Sequence, residues 1–212
     1  MGGFIPVFGQ SDSPIRVYLG GGAAIPGAAL PDMYHLRSTG YTITGKLLVP
    51  MNDFPIDVVV LTSLTRFSET LTFRGFGGTE EEQSGPYDHS MRFVGFGAGV
   101  QYEFLQGQAF SPFVEFIASA NFIHWSIVPP PGELVSAYTA NATRVGVAPG
   151  GGAHIEVPNS PVSLELAASF DLANLFGKQQ SHDSSDLQIV DGGYVVYSLN
   201  FIAVIVGIGI SL

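Results

Sequence analysis

The chain has 212 residues, with 8 Lys+Arg against 18 Asp+Glu and a formal net charge of -10. That balance argues against nucleic acid as a partner, because phosphate binding needs basic patches. The absence of cysteine removes disulfides, thiolate metal sites, thiol nucleophiles and a lipid anchor on an N-terminal cysteine.

Only 12% of residues are charged, against about 25% in ordinary soluble domains. Mean hydropathy is +0.31, yet no run approaches the roughly 18–20 apolar residues of a membrane helix. The 27 Gly and 14 Pro are also unfavourable to long helices. High apolar content spread over short segments points instead to strands.

Eight such segments follow in chain order. The first sets Ile15, Val17 and Leu19 on one face and Arg16, Tyr18 and Gly20 on the other. The second opposes Tyr41, Ile43, Leu47 and Val49 to Thr42, Thr44 and Lys46. The third is apolar on both faces across Val58–Leu61, so its orientation rests on Asp57 and Ser63. The fourth alternates cleanly: Val94, Phe96, Ala98, Val100, Tyr102 and Phe104 against Gly95, Gly97, Gly99, Gln101 and Glu103.

The fifth opposes Val114, Phe116, Ala118, Ala120 and Phe122 to Glu115, Ile117, Ser119 and Asn121. The sixth opposes Val145, Val147, Ala153, Ile155 and Val157 to Arg144, Gly146, Gly150, His154 and Glu156. Pro149 cannot donate to a ladder, which predicts a bulge or local break there. In the seventh, Val162, Leu164, Leu166, Ala168, Phe170 and Leu172 oppose Ser163, Glu165, Ala167, Ser169, Asp171 and Ala173. The eighth contains the longest apolar stretch, Phe201–Ile210, about the 9–11 residues of a tilted membrane strand.

Short breaks at Pro50–Pro55, Leu105–Ala109 and Val157–Pro161 alternate with longer polar stretches at Ile25–Thr39, Phe76–Ser90, Pro129–Asn141 and Gly177–Gly193. Strands joined this way form an up-and-down meander, with tight turns at one end and long loops at the other. The second face of each strand, rich in Gly, Ser and Ala with a few acids, would make a poor solvated surface. It suits the narrow interior of eight strands, where side chains fill the lumen. The expectation is an all-β, eight-stranded antiparallel transmembrane β-barrel with a closed polar lumen. Residues 15–212 form the barrel, and residues 1–14 are an N-terminal periplasmic segment. Phe54, Tyr102, Phe104, Phe110 and Phe113 are expected to make one aromatic belt, and Tyr34, Tyr41, Phe93, Trp125, Phe176 and Tyr194 the other.

This strand count, loop asymmetry and terminal strand resemble the small eight-stranded outer-membrane barrels, the OmpA/OmpX-like family, from Ile15 to Leu212. The ending, with Gly207 and Gly209 among alternating apolar residues, is similar to that family's assembly signal. It departs at Leu212, where the family usually has an aromatic. The resemblance implies a bacterial outer-membrane location, with periplasmic termini and extracellular long loops. A secreted barrel needs a signal peptide. Met1–Gln10 lacks a basic start and a continuous apolar core, so Met1 is expected to begin a processed or recombinant chain.

Ten charged or titratable residues project into the lumen in this register: Arg16, Lys46, Asp57, Glu103, Glu115, Arg144, His154, Glu156, Glu165 and Asp171. They read as a salt-bridged polar plug, since buried charges are normally paired; the rival is a narrow ion or proton path. An outer-membrane lipid-modifying enzyme would need a His–Ser–acid group near the loop rim. His124, Ser126 and Glu133 are the best available set and match no family motif. The acidic runs Glu80–Glu82 and Asp183, Asp186 and Asp191 read as solvated loops, with divalent-cation binding as the alternative. No cofactor and no metal are expected. Ala28, Ala29, Leu30, Met33 and Tyr34 are candidate contacts for an envelope or surface protein, with packing over the barrel mouth as the rival. Outward apolar residues are expected to contact outer-membrane lipids. The expected role is structural: surface interaction or the anchoring of a complex.

Overall fold

A computed structural model describes residues 14–28, 30, 35–51, 54–74, 83–131, 137–175 and 199–212. The expected segment 1–14 therefore lies almost entirely outside the described residues. Eight strands close into one antiparallel barrel in chain order. They are β1 Arg16–Pro26, β2 Gly40–Pro50, β3 Ile56–Arg74, β4 Gln83–Glu103, β5 Phe110–Val128, β6 Tyr138–Glu156, β7 Val162–Leu172 and β8 Asn200–Ser211. Closure pairs β1 with β8, from Arg16 opposite Ser211 to Pro26 opposite Phe201. No strand is left as an open edge along the spanning part of the wall.

The register fixes the width of the barrel. Cross-strand partners run from Val17 through Leu47, Val60, Ala98, Ala118, Val147, Leu172 and Asn200. They return to β1 at Gly27, whose N–H donates to the Asn200 carbonyl, a stagger of ten residues. With about 4.8 Å between strands and 3.3 Å per residue, this stagger tilts the strands by about 40°. The backbone radius is then about 8 Å, which side chains can fill.

Period-2 alternation decides what lies on each side. Leu19, Val206 and Ile208 point outward with more than half of their surface exposed, whereas Tyr18, Lys46, Gln101 and Glu165 are buried inside. The third strand, ambiguous in sequence, is set by Asp57: it and Val59 are buried, while Val58 and Val60 face out. This apolar outer wall has no solvated role and fits the hydrocarbon of a bilayer.

Several expectations need correction. Gln83–Ser90 belongs to β4 and not to a loop, because it pairs with the extension of β3 as far as Arg74 opposite Gln83. The same holds for Thr139–Asn141, which lies within β6. At Pro149 the expected disturbance is a local break in the ladder to β7 and not a bulge. β6 keeps an unbroken register with β5, and its pairing with β7 skips Ala148 and Pro149 and resumes in the same register. Phe93 and Phe113 are buried inside and belong to neither belt, and Trp125 packs inward against the buried cluster. Phe54, Tyr102, Phe104 and Phe110 do form an exposed aromatic group at the turn end. Tyr34, Phe176 and Tyr194 lie outside the described residues.

Candidate functional site

The interior divides into two zones. The turn-end half holds the charges, and short strand segments bring them together. β1 contributes Arg16, β2 Lys46, β3 Asp57, β4 Glu103, β5 Glu115, β6 His154 and β7 Glu165. Each is an inward position near the turn end of its strand, so closure of the barrel stacks them around one axis.

Arg16 Nη2 donates to Asp57 Oδ2 and to Glu103 Oε2, both at 2.6 Å. Its Nη1 lies 3.3 Å from His154 Nδ1. With Arg16 donating to Nδ1, the ring is the Nε2–H tautomer and donates to Glu165 Oε2 at 3.0 Å. Lys46 Nζ completes the chain, 2.6 Å from Glu165 and 3.1 Å from Glu115. The His154 ring is clamped between Tyr18 and Phe113, at centroid distances of 4.9 and 4.6 Å. Lys46 Nζ also sits 4.8 Å from the Phe113 centroid, a cation–π contact. The Ser163 hydroxyl donates to Tyr18 OH at 3.0 Å. Both permanent cations therefore serve two carboxylates each, and the low local dielectric makes the set hold or fail as a unit.

Three of the ten lumen residues stand apart. Asp171 accepts from Ser169 Oγ at 2.6 Å and lines a cavity of about 30 Å³ with Lys46, Glu115, Glu165 and Thr44. That is room for about two water molecules, not a channel. Glu156 is exposed at the turn-end rim. Arg144 lies toward the loop end and donates from Nη1 to the Thr143 carbonyl at 2.9 Å, outside the network. Gln101, not singled out from sequence as a member, is fully buried among these charges, and its amide has no partner among the described residues.

The loop-end half is built on an apolar cluster, with Thr42, Thr65, His89 and Asn174 buried beside it. Phe67, Phe93 and Phe201 meet with centroids 5.4–6.1 Å apart. Ala24, Met91, Ile123, Leu199 and Ala203 surround them. Leu30 and Leu36 are fully buried in the same cluster. Leu30 therefore packs over the barrel mouth and is not a free surface contact; Ala28 is exposed, and Ala29, Met33 and Tyr34 lie outside the described residues. The lumen is closed twice, once by ion pairs and once by hydrocarbon.

Of the rim set weighed for catalysis, only His124 and Ser126 are among the described residues. His124 and Ser126 occupy the outer face of β5, and His124 Nδ1 lies 2.8 Å from Asn141 Oδ1. Glu133 is outside the described residues, as are Glu80–Glu82, Asp183, Asp186 and Asp191. Among the described residues no group of three metal-binding side chains converges.

No family model matches the chain, and no curated protein matches its sequence. Solved structures do. Neisserial surface protein A is 14% identical, with a TM-score of 0.56 over 93% of this chain and 97% of that one. A major outer membrane protein of Thermus thermophilus is 15% identical, with a TM-score of 0.62 over 95% of this chain and 100% of that one. Ail, the attachment invasion locus protein of Yersinia pestis, solved with the heparin analogue sucrose octasulfate, is 10% identical, with a TM-score of 0.50 over 95% and 100%. At such identities the likeness is one of fold: a closed, all-antiparallel, eight-stranded OmpA/OmpX-like barrel.

Proposed function

We propose that this OmpA/OmpX-like barrel is an integral protein of a bacterial outer membrane, with its termini and short turns in the periplasm. Its role is to display a rigid surface, for a partner protein or for an envelope complex that it anchors. One observation carries the reading. β3, β4, β5 and β6 run 19, 21, 19 and 19 residues, although about 9–11 residues cross a bilayer. The other four strands have 11 or 12. Half the barrel wall thus continues as a four-stranded sheet, rising roughly 20 Å beyond the apolar band at the observed tilt. Trp125 and Tyr138 meet edge to face on it, at 5.2 Å. A wall built well past its spanning length serves contact outside the membrane. Ala28, at the start of the first long loop, is exposed at the same end.

A pore is disfavoured by the double closure of the lumen, and a lipid-modifying enzyme by the pairing of His124 Nδ1 with Asn141 Oδ1. A highly sulfated ligand such as the one bound by Ail is disfavoured by the net charge of -10. The test is fractionation of the native envelope followed by reconstitution in planar bilayers. The protein is expected in the outer-membrane fraction, without discrete conductance. Stepwise, salt-dependent currents from folded protein would overturn the closed-scaffold reading.

A further inference from the structure

On the outer face of β2–β6, Tyr41, Arg66, Arg92, His124 and Asn141 are successive cross-strand neighbours. Arg66 and Arg92 stand directly opposite each other, and both are exposed. Like charges in that position destabilise a sheet. Neither makes an ion pair among the described residues, whose salt bridges all involve Arg16, Lys46 or His154. A fold that tolerates such a pair at the upper edge of its apolar wall has a use for an anion between them.

The rows on either side say what kind of anion. One step toward the turns, the outward row is Ile43, Leu64, Val94, Phe122 and Thr143. One step toward the loops it is Ser68, Ser90, Ser126 and Thr139, a hydroxyl on each of β3–β6. The arginines therefore separate hydrocarbon below from hydroxyl donors above. Height agrees: Arg66 and Arg92 are each ten residues from the turn-end positions Ile56 and Tyr102, which pair with each other. Ten residues at this tilt rise roughly 25 Å, the height of the apolar band of an outer-membrane barrel.

We infer that Arg66 and Arg92 form a binding site for the phosphate of a lipid headgroup in the outer leaflet, with the acyl chain lying along Leu64, Val94 and Phe122. Two guanidinium forks can grip one phosphate bidentately. The Ser90 and Ser126 hydroxyls stand beside them to donate to its remaining oxygens. The amphipathic order of the three rows favours a lipid over free phosphate, because a soluble anion has no use for the apolar row. This inference rests on the proposed membrane placement.

The test uses the full chain refolded in neutral maltoside micelles doped with short-chain phosphatidic acid or phosphatidylcholine, with bound lipid counted by native mass spectrometry. Phosphatidic acid is expected to bind at least tenfold more tightly than phosphatidylcholine. The preference should vanish in Arg66→Gln/Arg92→Gln and fall partially in Arg66→Lys/Arg92→Lys, which keeps charge and loses the fork. If the double glutamine variant does not fold, Arg66→Gln alone is expected to weaken phosphatidic acid at least threefold. Equal binding of phosphatidic acid by wild type and folded variants would overturn the site. So would inorganic phosphate displacing the lipid at equal concentration. Vesicle insertion is measured in parallel: a chain that inserts but shows no preference refutes this site alone, and one that does not insert refutes the membrane reading.

Discussion

Replacing Lys46 with methionine removes one of the two permanent cations of the network while keeping most of its volume. Lys46 is 5% exposed and lies 2.6 Å from Glu165 and 3.1 Å from Glu115. Without it, two buried carboxylates face each other around a cavity that holds about two waters, and only Glu165 keeps another partner, the His154 ring at 3.0 Å. Breaking one partner of a buried pair costs about 3–5 kcal/mol, mostly from the charge left behind. At a slope of about 2 kcal/mol per molar urea, the unfolding midpoint should fall by roughly 2 M. Fluorescence of Trp125, the single tryptophan, reports the transition in detergent micelles. The triple variant Lys46→Met/Glu115→Gln/Glu165→Gln removes the stranded charges together and should recover about half of the loss or more, since replacing a whole buried ion set is often near neutral. A Lys46→Met midpoint within about 0.3 M of wild type would mean that the pair is worth no more than a surface salt bridge. A triple variant weaker than the single would equally refute the reasoning.

Other outcomes follow from the same geometry. Phe201→Ala opens a hole against Phe67 and Phe93, and should cost about 3–5 kcal/mol in the same unfolding assay. It should leave planar bilayers silent, because the ion-pair zone still closes the lumen. Gly22 faces inward, where a Cβ would collide with the Val204 carbonyl oxygen, whereas at Gly21 the nearest atom is 3.6 Å away. Gly22→Ala should therefore abolish the heat-modifiable folded band on gels, and Gly21→Ala should retain it. Pro149→Ala, at the site where β6–β7 pairing is already interrupted, should shift stability by less than about 1 kcal/mol, measured by urea unfolding.

The facing of every strand was legible, because a period of two on a half-lipid, half-lumen wall leaves one answer. Even β3, apolar on both sides at Val58–Leu61, was settled by the inward acid Asp57 and Ser63. The missed aromatics carried a signal too: Phe93 shares parity with Gly95, and Phe113 with Glu115, so both had to point inward. Proximity to a strand end obscured this. The extension of β4 was not legible. Gln83–Ser90 contains Ser, Gly, Pro and Asp, which read as turn, and only pairing with β3 makes it a strand. Likewise the apolar cluster at the loop end of the lumen comes from the ten-residue stagger, which brings Phe67, Phe93 and Phe201 to one height. No local pattern in the sequence states that stagger.

Because the chain has no cysteine, a membrane-inserted barrel with its long-strand end outside can be tested directly. Pro131→Cys places a thiol at an exposed residue of the third long connection, and Gln106→Cys at an exposed residue of the Leu105–Ala109 turn. A membrane-impermeant maleimide added to intact cells should label Pro131→Cys at once and Gln106→Cys only after the outer membrane is breached. Labelling of Gln106→Cys on intact cells, with Pro131→Cys protected, would contradict the orientation. Equal labelling of both would contradict insertion itself.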